Sequence, residues 1–500
     1  MKPDGLFKLF YSLRGKLKHL VRAVNFECCI LGAGPAGLAV GHELSKNGIK
    51  DIAVVDKNVI VGGLARTEVF DGNRYDVGPH RFFTSNIEIN KLWKETLGDD
   101  FIPVERMTRI FYKNMLFNYP LNLLNVFSNL GLSESLKSIA SFAESKIKHK
   151  NDPVTFEDWI VNKFGRKLYE TFFKTYTEKV WGIPCDQIEA EWAAQRIKGL
   201  DLVELLKKTL LGNKSQEIKT LVEQFDYPVL GAGQMYNVMA ERVNEKGATF
   251  YLNYSVKKIN IRESVILSII IEERNTGELI EVFSKQFFSS IPITHFFKMM
   301  DPIPNSDTLI AANSLYFREH ITVDILIDRK DLFPDQWIYV HSHDLKMARL
   351  ANYKNFSKQM VKSDEKTTLS VEYFVFKSDD IWRMSDNSLK ELAGDELSQM
   401  KLVNKKQIEN SWIVRETESY PTYFIGYKEH YKVLKKEINK ISNVYPIGRG
   451  GMYKYNNQDH SAFSGLLAAR NYINRKTSQY DLWSINIDAE YNEGSERIKN

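Results

Sequence analysis

Three cysteines in 500 residues cannot build a disulfide framework. Cys28 and Cys29 adjoin in an apolar, strand-like run and Cys185 stands alone, so a reducing compartment, the cytoplasm, is expected. Long hydrophobic runs are scarce as well. The longest, "SVILSIII", has the length of a strand, whereas a membrane span needs roughly 18 to 20 apolar residues. No repeat, low-complexity block or secretory signal stands out. A broad basic surface is missing too: Lys2, Lys8, Arg14, Lys16, Lys18 and Arg22 against Asp4 supply the whole +5 of the chain within residues 1–26. A nucleic-acid enzyme would spread that charge over its body, so no nucleic-acid partner is expected. His341, Ser342, His343 and Asp344 lack further ligands at a convincing spacing, so they read as a polar hairpin turn and no metal is expected.

Within the basic extension, Leu6, Phe10, Leu13, Leu17, Leu20 and Val24 recur at helical spacing, with basic residues on the other face. Three readings stay open: a helix on an anionic membrane surface, a helix docked on its own protein, or an organelle presequence. Gly15 weakens the helix in all three.

What the chain does have is a front end built for a dinucleotide. "ECCILGAGPAGLAVGHELSKNG" gives a strand, a glycine turn and a helix. Gly32 allows the tight turn, Gly34 with Pro35 and Ala36 admits a pyrophosphate, and Gly37 lets helix and strand pack closely. The helix start then faces the phosphates. A second strand, "DIAVVDK", ends at Asp56 and Lys57, where a carboxylate meets a ribose hydroxyl. Two more glycine approaches follow: "GGLART", with Gly63, Leu64, Ala65 and Arg66, and "VGPH", with Gly78, Pro79 and His80. A nicotinamide fold needs only the first, so flavin is favoured. Arg66 is expected at the pyrophosphate.

This order of motifs resembles the large FAD family of amine oxidases, protoporphyrinogen oxidases, phytoene desaturases and UDP-galactopyranose mutases. "YDVGPHRFFTSN" looks most like the mutases, which implies His80 beside the flavin ring. "YTEKVWG" with "WAAQR" is similar to their substrate region, implying Trp181 in the cavity and Arg196 on the diphosphate. "MARLANYKNFS" implies Arg349 as a second clamp. In "GRGGMYKYNNQDHS" near the chain end, the resemblance places Gly448 and Arg449 against the cofactor, and Asn457, Gln458, Asp459 and Ser461 at the entrance of a closing helix. Tyr455 and, in "ESYPTY", Tyr420 take the positions of tyrosines that bind the diphosphate. Backbone near Val256 is placed at the adenine by the same likeness.

The expected fold is α/β: a Rossmann-like FAD-binding domain, discontinuous over 27–118, 222–300 and 440–475, with an inserted helical domain over 119–221 and an antiparallel sheet over 301–439 for substrate. Residues 1–26 and 476–500 are an extension and a polar tail. The resemblance implies a mutase that interconverts pyranose and furanose forms of a nucleotide sugar, a UDP-sugar foremost, using N5 of reduced, non-covalently held FAD as nucleophile on the anomeric carbon. A reductant, external or NAD(P)H, belongs to that scheme. The alternative is an FAD oxidoreductase of the amine oxidase or protoporphyrinogen oxidase type.

Overall fold

The computed structural model describes residues 21–119, 123–148, 152–192, 224–474 and 480–485. The extension of residues 1–20 and Arg196 lie outside the described residues. Val24, assigned to the helical stripe, belongs instead to a strand, Arg22–Leu31.

That strand is the centre of an eight-stranded sheet. It pairs in parallel with Ile52–Asp56 on one side and Leu279–Ser289 on the other. Cys28, Cys29, Ile30 and Leu31 are fully buried, as expected where helices cover both faces of a parallel sheet. Beyond Leu279–Ser289 the sheet turns antiparallel through Val265–Glu273 and Tyr254–Arg262. The short strand Val444–Pro446 pairs in parallel with the end of Leu279–Ser289, so the chain returns here at its close. The helix Pro35–Lys46, with proline in its first turn, packs against the late helix Gln458–Ile473. A methyl at Gly465 would sit 2.1 Å from the Ala36 carbonyl oxygen, so only glycine permits this approach.

A second sheet has seven strands in the order Ile408–Pro421, Phe317–Ile327, Thr367–Val375, Arg349–Asn352, Trp337–Val340, Thr108–Tyr112 and Met115–Asn118. It is antiparallel except where Trp337–Val340 meets Thr108–Tyr112. The expected boundary at 118 is therefore corrected: Thr108–Tyr112 and Met115–Asn118 cross to the second sheet because their apolar faces close its edge. Gln224–Pro228, within the stretch expected in the cofactor domain, forms a separate two-stranded pair with Phe101–Glu105.

The helical layer includes Leu123–Lys148, kinked at Gly131, and Phe156–Phe164, whose start is fixed by reciprocal bonds between Thr155 and Asp158. A continuous run follows: Arg166–Tyr169, a π-helical turn Glu170–Lys174, and Thr175–Trp181, which ends at the left-handed Gly182.

Candidate functional site

A cavity of about 460 Å³ lies between the two sheets, within the range of small-molecule sites. Gly32, Gly34, Pro35, Ala36, Asp56 and Lys57 line it from the first motif, and Gly63, Leu64 and Ala65 from the second. His80, Val256, Gly448, Arg449, Gln458 and Ser461 complete the residues expected there. Motifs more than 400 residues apart thus meet in one hollow.

Its floor suits a dinucleotide. A methyl at Gly34 would meet Gly63 Cα at 3.7 Å, so two opposed glycines leave an open slot above the start of helix Pro35–Lys46. Free N–H groups there favour a pyrophosphate. The buried Asp56 carboxylate accepts bonds from the Ala33 and Asn58 amides at 2.7 and 2.8 Å, which holds the first turn in place. Burial raises its pKa, and those amides act against the rise.

Not every expected residue lines the cavity. Arg66 is outside the lining, and its guanidinium bonds Glu68 at 2.6 Å, the Gly63 carbonyl at 3.0 Å and Glu416, so it staples the second loop beside the hollow. Gly37 acts in packing alone, since a methyl there would lie 1.8 Å from the Gly32 oxygen. Asn457 and Asp459 are also absent from the lining, while their neighbour Asn456 is present. Asn457 is the N-cap of the closing helix, and Asp459 in its first turn is buried. Gly78 and Pro79 hold the loop beneath His80 rather than face the hollow. Ser290 lies under Gly32, where a methyl would meet its Oγ at 2.0 Å; "SSIPI" after a strand was the signal for this close approach.

A charged cluster stands beside His80. Arg349 and Glu372 pair through two hydrogen bonds of 2.6 Å, and His320 Nε2 lies 2.8 Å from the same carboxylate. Burial opposes ionisation of Glu372, yet Arg349 and His320 hold its pKa down at about 2. Gly78 rests on this group: a methyl there would be 3.4 Å from Arg349 Nη2 and from Glu372 Oε2. The pKa of His80 is pushed down to about 3, first by burial and then by Arg449 and Arg349. It is therefore neutral, and its Nδ1 donates to the Gly78 carbonyl at 2.7 Å, which leaves Nε2 as an acceptor.

Arg449 completes the cluster. Its Cζ sits 4.8 Å from the Tyr420 ring centroid and 5.0 Å from that of Tyr455, and the two rings stack at 5.3 Å. Its Nε and Nη1 bond the Asn456 and Ser419 carbonyls. Trp181, largely buried, packs 5.8 Å from Tyr455 and 4.7 Å from Trp192. Two residues here were missed in the sequence: Tyr176, within electrostatic reach of Arg349, Glu372 and Tyr455, and Tyr339, directly across the ladder from Arg349. "YTEKVWG" and "QWIYVHSH" contain them, but ring orientation has no sequence signal. His341 is buried against Tyr176, and among the described residues no cluster of His, Cys, Asp or Glu is suited to a metal ion.

Residues 30–96 match the NAD(P)-binding Rossmann-like domain. Two curated relatives are a dTDP-fucopyranose mutase of Escherichia coli, 30% identical over 168 residues (32% of this chain, 43% of that protein), and a probable UDP-galactopyranose mutase of Klebsiella pneumoniae, 27% identical over 173 residues (33% and 44%). The chain spans less than half the length of these relatives. Among solved structures, a reduced UDP-galactopyranose mutase superposes with a TM-score of 0.79 at 20% identity, covering 90% of this chain and 96% of that one. A putrescine oxidase variant gives 0.63 at 15%, covering 91% and 100%. The chain thus carries a Rossmann-like domain, is homologous to pyranose mutases over about a third of its length, and shares the fold of those mutases and of the amine oxidases.

Proposed function

We propose that this protein is an FAD-dependent mutase that interconverts ring forms of a nucleoside-diphosphate sugar. The observation that carries the proposal is the sign of the charge beside His80. Two guanidinium groups, Arg349 and Arg449, and one carboxylate, Glu372, act on His80, and the two cations add to burial in holding the imidazole neutral. Such a pocket suits an anionic diphosphate. An amine substrate would want an aromatic cage, but the Tyr420–Tyr455 pair is already capped by the Arg449 cation.

FAD fits the cavity between the two sheets. The opposed Gly34 and Gly63 and the helix start at Pro35 would hold its pyrophosphate, Asp56 its ribose, backbone at Val256 its adenine, and Gly448 with Ser461 the far side. When bound in its reduced form, the flavin supplies a nucleophile for covalent catalysis. The chain's own residues do the rest. Arg349, oriented by Glu372, and Arg449, oriented by the Ser419 and Asn456 carbonyls, bind the diphosphate and offset the charge that grows on it as the sugar bond loosens. Tyr420 and Tyr455 offer neutral donors, and Trp181 packs against Tyr455 to shut out water. His80 Nε2 accepts from a hydroxyl at the ring end without taking a formal charge. Arg196 is proposed as a further phosphate ligand by sequence likeness.

Calorimetry on the reduced holoprotein tests the reading. UDP and dTDP should bind, while putrescine and protoporphyrinogen should not. The reverse order of affinities would place the protein with the oxidases.

A further inference from the structure

Two cations, the half-buried Lys179 and the buried Arg318, lie outside the cavity and take no part in the chemistry above. Lys179 Nζ donates to three backbone carbonyls, of Val340, Ser342 and Met347, at 3.0, 2.7 and 3.0 Å. Arg318, 2% exposed, donates from Nε to the Val180 carbonyl at 3.1 Å and from Nη2 to the carbonyls of Lys179, at 3.2 Å, and of Phe374. Both groups sit where one helix, Thr175–Trp181, meets the second sheet.

The geometry links this contact to the site. Val340 ends one strand and Met347 precedes Arg349 on the next, so Lys179 grips the turn between the strands of Tyr339 and Arg349. The same turn is held from the other side: the Lys346 and Met347 amides donate to the buried Glu396 carboxylate, which also accepts from Tyr373. A cation takes the turn's carbonyls and a carboxylate its amides. Arg318 binds the helix at its C-terminal end, where a positive charge is favoured, and ties it to the strand of Glu372 and Phe374. Gly182 is required beside it, since a methyl would lie 2.2 Å from Arg318 Nη1. The helix secured in this way presents Tyr176 and Trp181 to the cluster around Arg349.

Buried charges cost desolvation energy and are weak devices for stability alone. We propose that Lys179 and Arg318 are positioning residues that dock helix Thr175–Trp181 on the second sheet and so set the distance between the Tyr176–Trp181 wall and the Arg349 clamp. The functional half of this proposal rests on the nucleotide reading above. One consequence is a pH response. Burial pulls Lys179 down to about 8, with Glu396 and Asp344 acting to raise it and Lys346 to lower it; His341 and His343 are the other titratable groups of the turn. A neutral amine has two N–H groups for three carbonyls, so the dock loosens above that pH.

The test uses the full-length holoprotein, with UDP as probe and backbone amide exchange followed by mass spectrometry. Lys179→Met is expected to weaken UDP about tenfold and to speed exchange in 336–350 and 175–182. Bound cofactor and exchange in 28–56 should stay as in the wild type. Wild-type UDP affinity should fall as pH rises from 7 to 9, and the variant's should be flat across that window. Unchanged exchange in 336–350, or wild-type UDP affinity in the variant, overturns the proposal. Should Lys179→Met fail to fold, Arg318→Lys is expected to give the same signature at smaller size. In addition, the wild type alone should show extra exchange in 336–350 above pH 8, after correction for the intrinsic rate, and a flat result overturns the dock. A wild type that binds no UDP overturns the nucleotide reading, and the exchange data still decide the docking claim.

Discussion

Arg349 and Glu372 stand directly opposite each other on adjacent antiparallel strands and join through two parallel hydrogen bonds. The carboxylate is fully buried, so it fixes the plane of the guanidinium and leaves the outer edge for a ligand. Glu372→Gln keeps the shape but leaves the guanidinium without its counter-charge. Breaking a buried pair costs about 3–5 kcal/mol, so a marked drop in the thermal midpoint is expected at pH 7. The loss should shrink in acid. The native carboxyl titrates near 2, below its ordinary value, so its contribution is full above about 4.5 and is lost as pH falls toward 2. Thermal melts of both proteins at pH 7 and pH 3 check this.

Arg349→Ala should weaken UDP by about 100-fold, the lower part of the range for truncating one member of a buried pair. Bound FAD should remain, because Arg349 is not part of the cavity lining. Flavin absorbance and calorimetry on one preparation separate the two effects. Loss of flavin would place the arginine in the cofactor site.

The glycines of the first motif should divide by mechanism. Gly34→Ala puts a methyl at ordinary contact distance from protein atoms, so the apoprotein should melt as before, yet the slot for the pyrophosphate is filled. Gly37→Ala drives a methyl into the Gly32 oxygen, so it should lower both the melting midpoint and the FAD content. Equal effects of the two substitutions would contradict the assignment.

Asp76 offers a pH test away from the site. Fully buried, it accepts from Thr67, Tyr227 and the Ala232 amide, and burial still lifts its pKa to about 7. Between its ordinary carboxyl range and 7 the unfolded chain is ionised and the native group protonated. Stability therefore falls with rising pH across that window, by up to about 1.4 kcal/mol per pH unit. Asp76→Asn should remove that slope, and melts at pH 5 and pH 8 measure it.

The sequence made the cofactor half of the molecule legible because its motifs are backbone requirements. Gly32, Gly63 and Gly448 are needed where the backbone is left-handed and chains approach closely, Gly34 leaves the slot beside Gly63 open, and all four line the cavity. Arg66 shows the opposite kind of case: its partner Glu416 lies 350 residues away on a strand of the other sheet. Long-range pairs leave no local pattern. The same holds for Tyr176 and Tyr339, placed by helix docking and strand register, and for Thr108–Tyr112, whose choice of sheet depends on an edge formed far along the chain. Thr155 with Asp158 lies at the other extreme, a cap visible within four residues.

The most direct test of the central claim is turnover. Purified holoprotein, reduced and kept anaerobic, would be incubated with UDP-galactopyranose and dTDP-fucopyranose, and the ring form of each product followed by chromatography. The account predicts a furanose product with no net consumption of reductant, abolished in Arg349→Ala. No ring interconversion, together with oxygen uptake by the oxidised protein on putrescine or protoporphyrinogen, would contradict it.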